Sequence, residues 1–241
     1  FCGILSAAKG GTEMKNFTAA IICAGGSGSR MKSAKNKLLL SLGGVSVFER
    51  TVSAFDRAAT VDEMVFSVPS DLRKEFEDIL EATVKNKPYK VVIGGKNREE
   101  SVKNGIAAVD GGCEFVSVHD AARPLITPEE IDKINEKAYI CGAVCAGNPV
   151  KNTVKILKSD GKIEKTLERR LLFSAATPQV FRKEILTEAF EKFADSLENF
   201  TDDASLAEAL GYEVETFFCD EKNIKITTPE DIKTAEKFLG F

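Results

Sequence analysis

Short apolar runs alternate along the chain with segments whose apolar residues recur at the three- and four-residue spacing of a helix. The short runs predict β-strands at 19–23, 63–68, 90–93, 115–119, 142–146 and 214–219. Helical patterns lie between several of these strands, at 47–59, 71–83, 99–108 and 128–138. This alternation predicts an α/β fold, with a mostly parallel sheet and helices on both of its faces.

Several predicted helices carry sequence signals at their ends. In a capping box, a hydroxyl oxygen accepts a backbone N–H while an acidic side chain three residues later binds back to the cap. The pairs that fit are Ser46 with Glu49, Thr127 with Glu130 and, as a variant, Thr228 with Asp231. Gly211 is placed to end a helix over 203–210. These signals concern the fold and carry no chemistry of their own.

One stretch departs from the alternation. Residues 150–157 form a strand pattern, residues 159–162 (Ser-Asp-Gly-Lys) predict a turn, and 163–167 is strand-like again. We expect a β-hairpin arm that projects from the α/β body. Because an isolated hairpin is marginally stable in water, the arm needs a surface to pack on, and a second copy of the chain would supply one. A homodimer is therefore expected.

The chain shows no repeat, low-complexity tract or linker that would divide it. We expect one domain over 14–241, with the arm at about 148–172, and a disordered extension or upstream sequence over 1–13. The opening residues 1–8 are apolar but lack a basic segment, which argues against a secretory signal.

Composition removes several classes of function. The net charge of −4 gives no general basic surface for nucleic acid, and the chain has no apolar run long enough for a membrane span. A single histidine, His119, excludes a zinc site with two histidine ligands. Six cysteines are scattered without a C-x-x-C pair, which predicts reduced, packed thiols and a cytoplasmic location. Of these, Cys141 and Cys145 are expected to share one face of a strand.

The most informative segment follows the first predicted strand and reads Ala24-Gly-Gly-Ser-Gly-Ser-Arg-Met31, with Lys32, Lys35 and Lys37 beyond it. Glycines let backbone amides approach an anion closely, so this loop suits phosphate. A Walker A loop is absent, and the position of the third glycine in the dinucleotide fingerprint is Met31. The loop therefore fits neither common nucleotide motif, and an NAD-dependent oxidoreductase is disfavoured.

Two further strands deliver polar residues at their carboxyl ends. The third is followed by Gly94-Gly-Lys-Asn-Arg98-Glu-Glu-Ser101, and the fourth ends in His119-Asp-Ala-Ala-Arg-Pro124. Since open α/β sheets bind ligands at the carboxyl ends of their strands, the three sets are expected to converge on one edge. For Arg123, a salt bridge that holds its own loop is as good an interpretation as substrate binding.

Taken in order, these motifs resemble the methylerythritol phosphate cytidylyltransferases of the non-mevalonate isoprenoid pathway. The resemblance extends from about residue 17 to 239 and includes Ala176-Thr-Pro-Gln179, Thr201-Asp-Asp-Ala-Ser205 and Asn223-Ile-Lys-Ile-Thr-Thr-Pro-Glu-Asp231. It implies a nucleotide-diphospho-sugar-transferase-like, Rossmann-type body with a β-arm that exchanges contacts in a homodimer. The arm agrees with the hairpin read from the sequence.

The resemblance also implies a reaction, in which the phosphate of a polyol phosphate attacks the α-phosphorus of CTP and pyrophosphate leaves. A phosphate monoester is already largely dianionic at neutral pH, so no general base is required. The chain has to bring together two anions and stabilise the charge of the transition state, which calls for cations, backbone amides and Mg²⁺. Mg²⁺ is expected to be held mainly by phosphate oxygens and water, with Asp120 as the carboxylate nearest to it.

Roles follow from the resemblance position by position. Arg30 and Lys37 match the residues that stabilise charge on the triphosphate, and Lys225 and Arg169, the latter from the partner's arm, match the pair that positions the attacking phosphate. The residues that match the CTP-binding segments are Ala24, Gly25, Gly26, Gly28, Gly95, Ser101 and Ala121. Those that match positions around the polyol phosphate are Asp120, Arg123, Thr153, Thr177 and Thr201.

The chain departs from the family at three places, and two alternatives stay open. Asn36 stands where Pro is usual, so the loop that holds Lys37 is expected to be less rigid. Lys96 and Asn152 each replace a common Asp. The first alternative is a ribitol-5-phosphate cytidylyltransferase, a close relative with the same chemistry. The second is a non-catalytic nucleotide-binding module, against which the cations at 30, 37, 169 and 225 argue.

Overall fold

The structure is a computed structural model that describes residues 16–25 and 36–241. Its centre is a sheet of seven strands in the order β11-β7-β10-β6-β1-β4-β5. These strands are β1 (Thr18–Cys23), β4 (Glu63–Val68), β5 (Tyr89–Ile93), β6 (Phe115–Asp120), β7 (Ala143–Pro149), β10 (Phe173–Arg182) and β11 (Glu215–Phe218). Strand β10 is antiparallel to both of its neighbours, and the remaining pairs are parallel. The predicted mostly parallel sheet is confirmed.

Helices cover both faces of this sheet. They are α1 (Val47–Arg57), α2 (Arg73–Thr83), α3 (Arg98–Ala108), α4 (Pro128–Cys141), α5 (Lys183–Lys192), α6 (Asp203–Ala209) and α7 (Pro229–Leu239). Side chains of β1 alternate between two cores, with Ala20 and Ile22 facing α1, α2, α4 and α7, and Ile21 facing α3, α5 and α6. A β-carbon on Gly105 would lie 2.5 Å from Ile21 Cγ2, so only glycine lets α3 approach the sheet this closely.

The helix ends that were predicted from capping signals are confirmed. All three capping boxes form, at Ser46, Thr127 and Thr228. Gly211 follows α6 with a φ of +90°, a left-handed conformation that glycine adopts without strain. Local hydrogen bonding therefore determines where these helices begin and end.

Two features of the sheet were not predicted correctly. Strand β10 was not expected, although it lies at the centre of the sheet between β6 and β7. The prediction that Cys141 and Cys145 share one strand face is wrong, because α4 continues to Cys141 and Gly142 then ends it at a φ of +88°. The five cysteines in the described part of the chain are nevertheless free thiols, as expected.

The predicted arm is present as a separate two-stranded sheet of β8 (Lys155–Leu157) and β9 (Ile163–Thr166), with the turn between them. A second small antiparallel pair, β2 (Ser41–Leu42) and β3 (Val45–Ser46), precedes α1. Every residue of β9 is exposed, and the apolar Leu157, Ile163 and Leu171 are more than half exposed. In the described residues, no helix is long and apolar enough to cross a membrane.

Candidate active site

Two glycine segments predicted to bind CTP meet at the carboxyl ends of β1 and β5. Ala24 N–H donates to the Ser67 carbonyl at the end of β4 at 2.8 Å, which anchors the start of the first segment. A β-carbon built on Gly94 would lie 3.1 Å from Ser101 Oγ and 3.8 Å from Gly25 Cα. The convergence expected from strand topology therefore holds for these residues.

Ser101 organises the loop between β5 and α3. Its hydroxyl accepts the Gly95 N–H at 3.0 Å and donates to the Asn97 carbonyl at 2.8 Å. A β-carbon on Gly95 would come within 2.1 Å of Glu100 Cβ, so the loop has no room for a side chain there. Ser101 is buried and shapes the backbone of this segment, while Gly95 leaves that backbone accessible.

The end of β6 holds a cluster of charged side chains around Asp120. Asp120 Oδ1 accepts from Arg98 Nε at 3.1 Å, and Oδ2 lies 2.7 Å from Lys225 Nζ and 3.8 Å from Arg123 Nε. Arg98 Nη2 also reaches Asp203 Oδ2 at 2.7 Å. The cluster thus joins cations from three separate parts of the chain around one carboxylate.

Electrostatics in this cluster are governed by burial and by the paired charges. Burial alone would raise the pKa of Asp120, but Arg98, Lys225 and Arg123 outweigh it and hold that pKa far below its usual range. Burial raises the pKa of Asp203, and Arg98 offsets only part of the effect. Asp120 is therefore an anion at neutral pH, and three cations lie around it.

A chain of hydrogen bonds fixes the backbone on both sides of Asp120. Asp120 N–H donates to Thr177 Oγ1 at 3.0 Å, and Thr177 Oγ1 lies 3.1 Å from His119 Nδ1. His119 Nε2 lies 3.2 Å from the Arg123 carbonyl oxygen. This network assigns the proton to Nε2, so the Thr177 hydroxyl donates to Nδ1 and the imidazole donates to the carbonyl.

His119 is held neutral by this environment. The ring is wholly buried against Phe55, and burial lowers its pKa to about 3. At neutral pH it exchanges no proton, so it acts as a fixed link between Thr177 and the Arg123 loop. The single histidine is therefore structural, and the Thr177 hydroxyl donates its hydrogen to His119 Nδ1.

The segment that carries Lys225 is bound directly to Lys37 and to the Arg123 loop. Lys37 Nζ donates to the Ile226 carbonyl at 2.9 Å, and Ile226 N–H donates to the Ala122 carbonyl at 2.8 Å. Arg123 Nη1 donates to the Asn223 carbonyl at 2.9 Å. The structure therefore brings together Lys37 and Lys225, which lie 188 positions apart in the sequence.

The loop before Lys37 was expected to be less rigid because it lacks the usual proline. Asn36 Oδ1 accepts the Leu38 N–H at 3.0 Å and caps the short 3-10 helix Lys37–Leu39. The asparagine therefore replaces a ring constraint with a hydrogen bond.

The remaining predicted residues lie next to β6 or α6, on the arm, or outside the described part of the chain. Ala121 is buried directly after Asp120, and Thr201 is exposed just before α6. Thr153 and Arg169 lie on the exposed arm, where Arg169 Nη1 donates to the Lys151 carbonyl at 2.7 Å. The predicted residues Gly26, Gly28 and Arg30 lie outside the described part of the chain.

Two site residues were not assigned from the sequence, Arg98 and Asp203. Both lie within the motifs that carried the resemblance, Gly94–Ser101 and Thr201–Ser205, but their pairing joins residues 105 positions apart. The available sequence signal was a charged residue at the start of each of the two helical patterns, and the complete burial of Asp203 is known only from the structure.

The described residues do not form a cage for a divalent cation. Asp120 already carries ion pairs on both oxygens, and no group of three acidic, histidine or cysteine side chains is placed to hold a metal within 16–25 and 36–241. Mg²⁺ prefers oxygen ligands and keeps much of its water, so direct coordination by Asp120 does not fit this charge environment.

Comparison with known proteins shows the family of the chain. The family model for 2-C-methyl-D-erythritol 4-phosphate cytidylyltransferase matches residues 18–240. The chain belongs to this family. A relative of that name from Caldanaerobacter subterraneus subsp. tengcongensis is 42% identical over 221 residues, which cover 91% of this chain and 97% of that protein. A chloroplastic relative from Oryza sativa subsp. japonica is 36% identical, over 97% of this chain and 78% of that protein.

Solved structures of the same family share the fold. The 4-diphosphocytidyl-2C-methyl-D-erythritol synthase of Anaerococcus prevotii superposes with a TM-score of 0.83 at 32% identity, and covers 94% of this chain and 97% of its own. The chain is thus a cytidylyltransferase of the non-mevalonate pathway, as the motifs indicated. Neither the ribitol phosphate alternative nor a non-catalytic module is favoured.

Proposed function

We propose that the chain transfers the cytidylyl group of CTP to 2-C-methyl-D-erythritol 4-phosphate, and so produces 4-diphosphocytidyl-2-C-methyl-D-erythritol and pyrophosphate. The observation that carries this proposal is the pairing of Lys37 with the segment of Lys225 beside Asp120. Lys37 from one part of the chain binds the backbone next to Lys225 from another, and two anionic substrates require cations gathered in this way.

The chemistry is a substitution at phosphorus. An oxygen of the acceptor phosphate bonds to the α-phosphorus of CTP, the bond from that phosphorus to the bridging oxygen of the β-phosphate breaks, and pyrophosphate leaves with the electron pair. The attacking oxygen is already deprotonated, since the second pKa of a phosphate monoester is about 6. The neutral, buried His119 fits this proposal, because the reaction has no use for a general base.

Each cation has a distinct task in this scheme. Lys37 and Arg30 stabilise the triphosphate as negative charge moves toward the leaving pyrophosphate. Lys225, together with Arg169 of the partner subunit, binds the acceptor phosphate and points it at the α-phosphorus. Lys225 pairs with Asp120 at 2.7 Å, so the acceptor phosphate competes with that carboxylate for the ammonium group.

The nucleotide would lie against the two glycine segments. Ala24 and Gly25 lead into the loop that continues through Gly26 and Gly28, and the accessible backbone of Gly95 reads the cytosine edge. Ser101 supports that backbone through its bond from the Gly95 N–H, and Ala121 closes the site beside the ribose.

The acceptor would lie between the end of β6, the middle of β10 and the start of α6, bounded by Asp120, Arg123, Thr177, Thr201 and, from the partner subunit, Thr153. Thr177 contributes mainly by orientation, since its hydroxyl accepts the Asp120 N–H and donates to His119.

Mg²⁺ enters this proposal as part of the nucleotide substrate. Phosphate oxygens and water are its usual ligands in nucleotide-binding proteins, and the ion offsets triphosphate charge when it is bound. Asp120 stays paired with Arg98 and acts on the acceptor side.

The arm supports a homodimer. Its two strands are too few to be stable alone, and Leu157, Ile163 and Leu171 present apolar surface that a second copy of the chain would cover. In such a dimer, Arg169 reaches the partner's site. The free cysteines, three of them buried, fit a reducing compartment such as the cytoplasm.

The test pairs each of CTP, ATP, GTP and UTP with methylerythritol phosphate, ribitol 5-phosphate and glycerol 3-phosphate, and measures pyrophosphate release in Mg²⁺. We expect the highest kcat/KM for CTP with methylerythritol phosphate. A preference for ribitol 5-phosphate would reassign the acceptor. Tight binding of CTP without pyrophosphate release for any acceptor would contradict the proposal.

A further inference from the structure

Arg98 is the residue that connects the nucleotide side of the site to the acceptor side. It is the first residue of α3, directly after the segment of Gly94 and Gly95 and the helix cap Asn97. From there its guanidinium reaches Asp120 Oδ1 at 3.1 Å and Asp203 Oδ2 at 2.7 Å. The side chain is 22% exposed, while that of Asp203 is completely buried.

Asp120 is shared between cations with different roles. One oxygen faces Arg98, and the other faces Lys225 at 2.7 Å and Arg123 at 3.8 Å. Each additional cation on a carboxylate reduces the field that the others feel, because the same negative charge is divided among them. Arg98 therefore weakens the attraction between Asp120 and Lys225 without touching Lys225.

We propose that Arg98 is a positioning residue for the transfer reaction: by pairing with Asp120, it keeps Lys225 available to the acceptor phosphate. This inference rests on the proposed function. When the acceptor binds, Lys225 leaves Asp120 for the phosphate, and Arg98 retains the carboxylate that would otherwise compete. Without Arg98, Asp120 would attract Lys225 and Arg123 with its full negative charge.

Asp203 holds the other end of Arg98. Burial raises the pKa of Asp203, and Arg98 offsets part of that effect. Arg98 also makes the largest single contribution among the cations that lower the pKa of Asp120, so it stabilises the charged form of both carboxylates. Asp203 fixes the direction in which the guanidinium points, and the guanidinium in turn fixes Asp120.

Loss of Arg98 would leave the buried Asp203 without its ion-pair partner and should lower stability, but the helices at both ends have further anchors that favour retention of the fold. Asn97 caps α3 through the Glu100 N–H at 2.8 Å. Gln179 accepts the Ala204 N–H at 2.9 Å and donates to Asp202 at 2.9 Å, which secures the start of α6. Arg98 is thus open to substitution as a probe of function.

The experiment compares Arg98→Met, which keeps the length of the side chain without its charge, with Arg98→Lys and Asp203→Asn. KM for methylerythritol phosphate and for CTP is measured separately in each variant, with thermal unfolding as a check of folding. For Arg98→Met we expect the acceptor KM to rise about tenfold, the scale of one altered charged contact, with the CTP KM within about twofold of the wild type.

Two matched variants sharpen the result. Arg98→Lys restores a cation near Asp120, and we expect its acceptor KM to rise by only about threefold. Asp203→Asn keeps an oxygen for Arg98 Nη2 and leaves the pair with Asp120 intact, so its acceptor KM should stay within about twofold even where its melting temperature falls. This split separates positioning from a merely structural role.

An unchanged acceptor KM in Arg98→Met, or equal increases in the KM of both substrates, would overturn the inference. If Arg98→Met does not fold, the acceptor KM of Arg98→Lys decides the question, and an unchanged value overturns it. Failure of the wild type to turn over CTP with methylerythritol phosphate would instead reject the proposed function, so the two failures are distinguishable.

Discussion

Lys225→Ala should separate catalysis from stability more clearly than any other substitution in the site. The proposed role of Lys225 is to hold the acceptor phosphate at the α-phosphorus. In the absence of substrate its ammonium lies 2.7 Å from Asp120 Oδ2, and its side chain is 37% exposed. The substitution removes one cation from the acceptor phosphate and leaves Asp120 with Arg98 and Arg123 as partners.

The expected magnitude follows from that geometry. A unit charge pair at the distance of the Lys225–Asp120 contact is worth about 1.5 kcal/mol in water and about 6 kcal/mol at an effective dielectric constant near 20. A partly exposed lysine beside a bound phosphate lies between these limits. We expect a loss of about 3 kcal/mol in transition-state stabilisation, which corresponds to a decrease in kcat/KM of at least about 100-fold.

Stability should respond far less. Asp120 keeps two cationic partners, and solvent screens the partly exposed ammonium, so the free energy of unfolding should change by less than about 1 kcal/mol. Steady-state pyrophosphate release and chemical denaturation measure the two quantities. Lys222→Ala is the matched control, because it removes an exposed lysine from the same loop. A kcat/KM within about threefold of the wild type in Lys225→Ala, or an equal loss in Lys222→Ala, would refute the reasoning.

Three further predictions concern the surroundings of the site. Thr177→Val leaves His119 Nδ1 and the Asp120 N–H without a partner and should lower the free energy of unfolding by about 2 kcal/mol, whereas Thr177→Ser should preserve it, as denaturant titration would show. The folded-state pKa of His119 is about 3, below its ordinary 6.5. The free energy of unfolding should therefore have its full value above pH 6.5 and decrease as the pH is lowered from 6.5 to 3, by up to about 1.4 kcal/mol per pH unit. Since the chain has one histidine, His119→Asn should flatten that slope above about pH 5, and an unchanged slope would assign it to other groups. Removal of the arm by joining residue 154 to 167 through a short glycine linker should yield a monomer with little activity, and sedimentation of this variant as a dimer would contradict the proposed role of the arm.

Much of the fold follows from local patterns. The prediction for β4 matches the observed Glu63–Val68, because a short, mostly apolar run between turn residues has few alternatives. The helix starts at Ser46, Thr127 and Thr228 were also predictable, because a capping box involves residues that are only three positions apart. Strand β10 was missed because Thr177, Pro178 and Gln179 interrupt its apolar pattern, and its ladder forms with the distant β6 and β7.

The candidate site, too, was predictable from the sequence only in part. That Gly25 and Gly94 would meet, with Asp120 at the same edge of the sheet, was predictable, because parallel strands place their carboxyl ends at one edge. That Asp120 would be bound by Arg98 and Lys225 was not predictable, since these contacts depend on side-chain directions at the ends of separate elements.

The amino-acid sequence by itself determined the alternation of strands and helices, the helix ends, and which charged residues are available for phosphate chemistry. Only the tertiary structure decided which of those charges share a partner. Ser46 and Glu49 interact within one turn of chain, so their order along it specifies the contact. Arg98 and Asp203 are 105 positions apart, and their contact exists only because α3 and α6 begin at the same edge of the sheet. The physical reason is that local hydrogen bonding is encoded by neighbouring residues, whereas the environment of a buried charge is set by everything that folds around it.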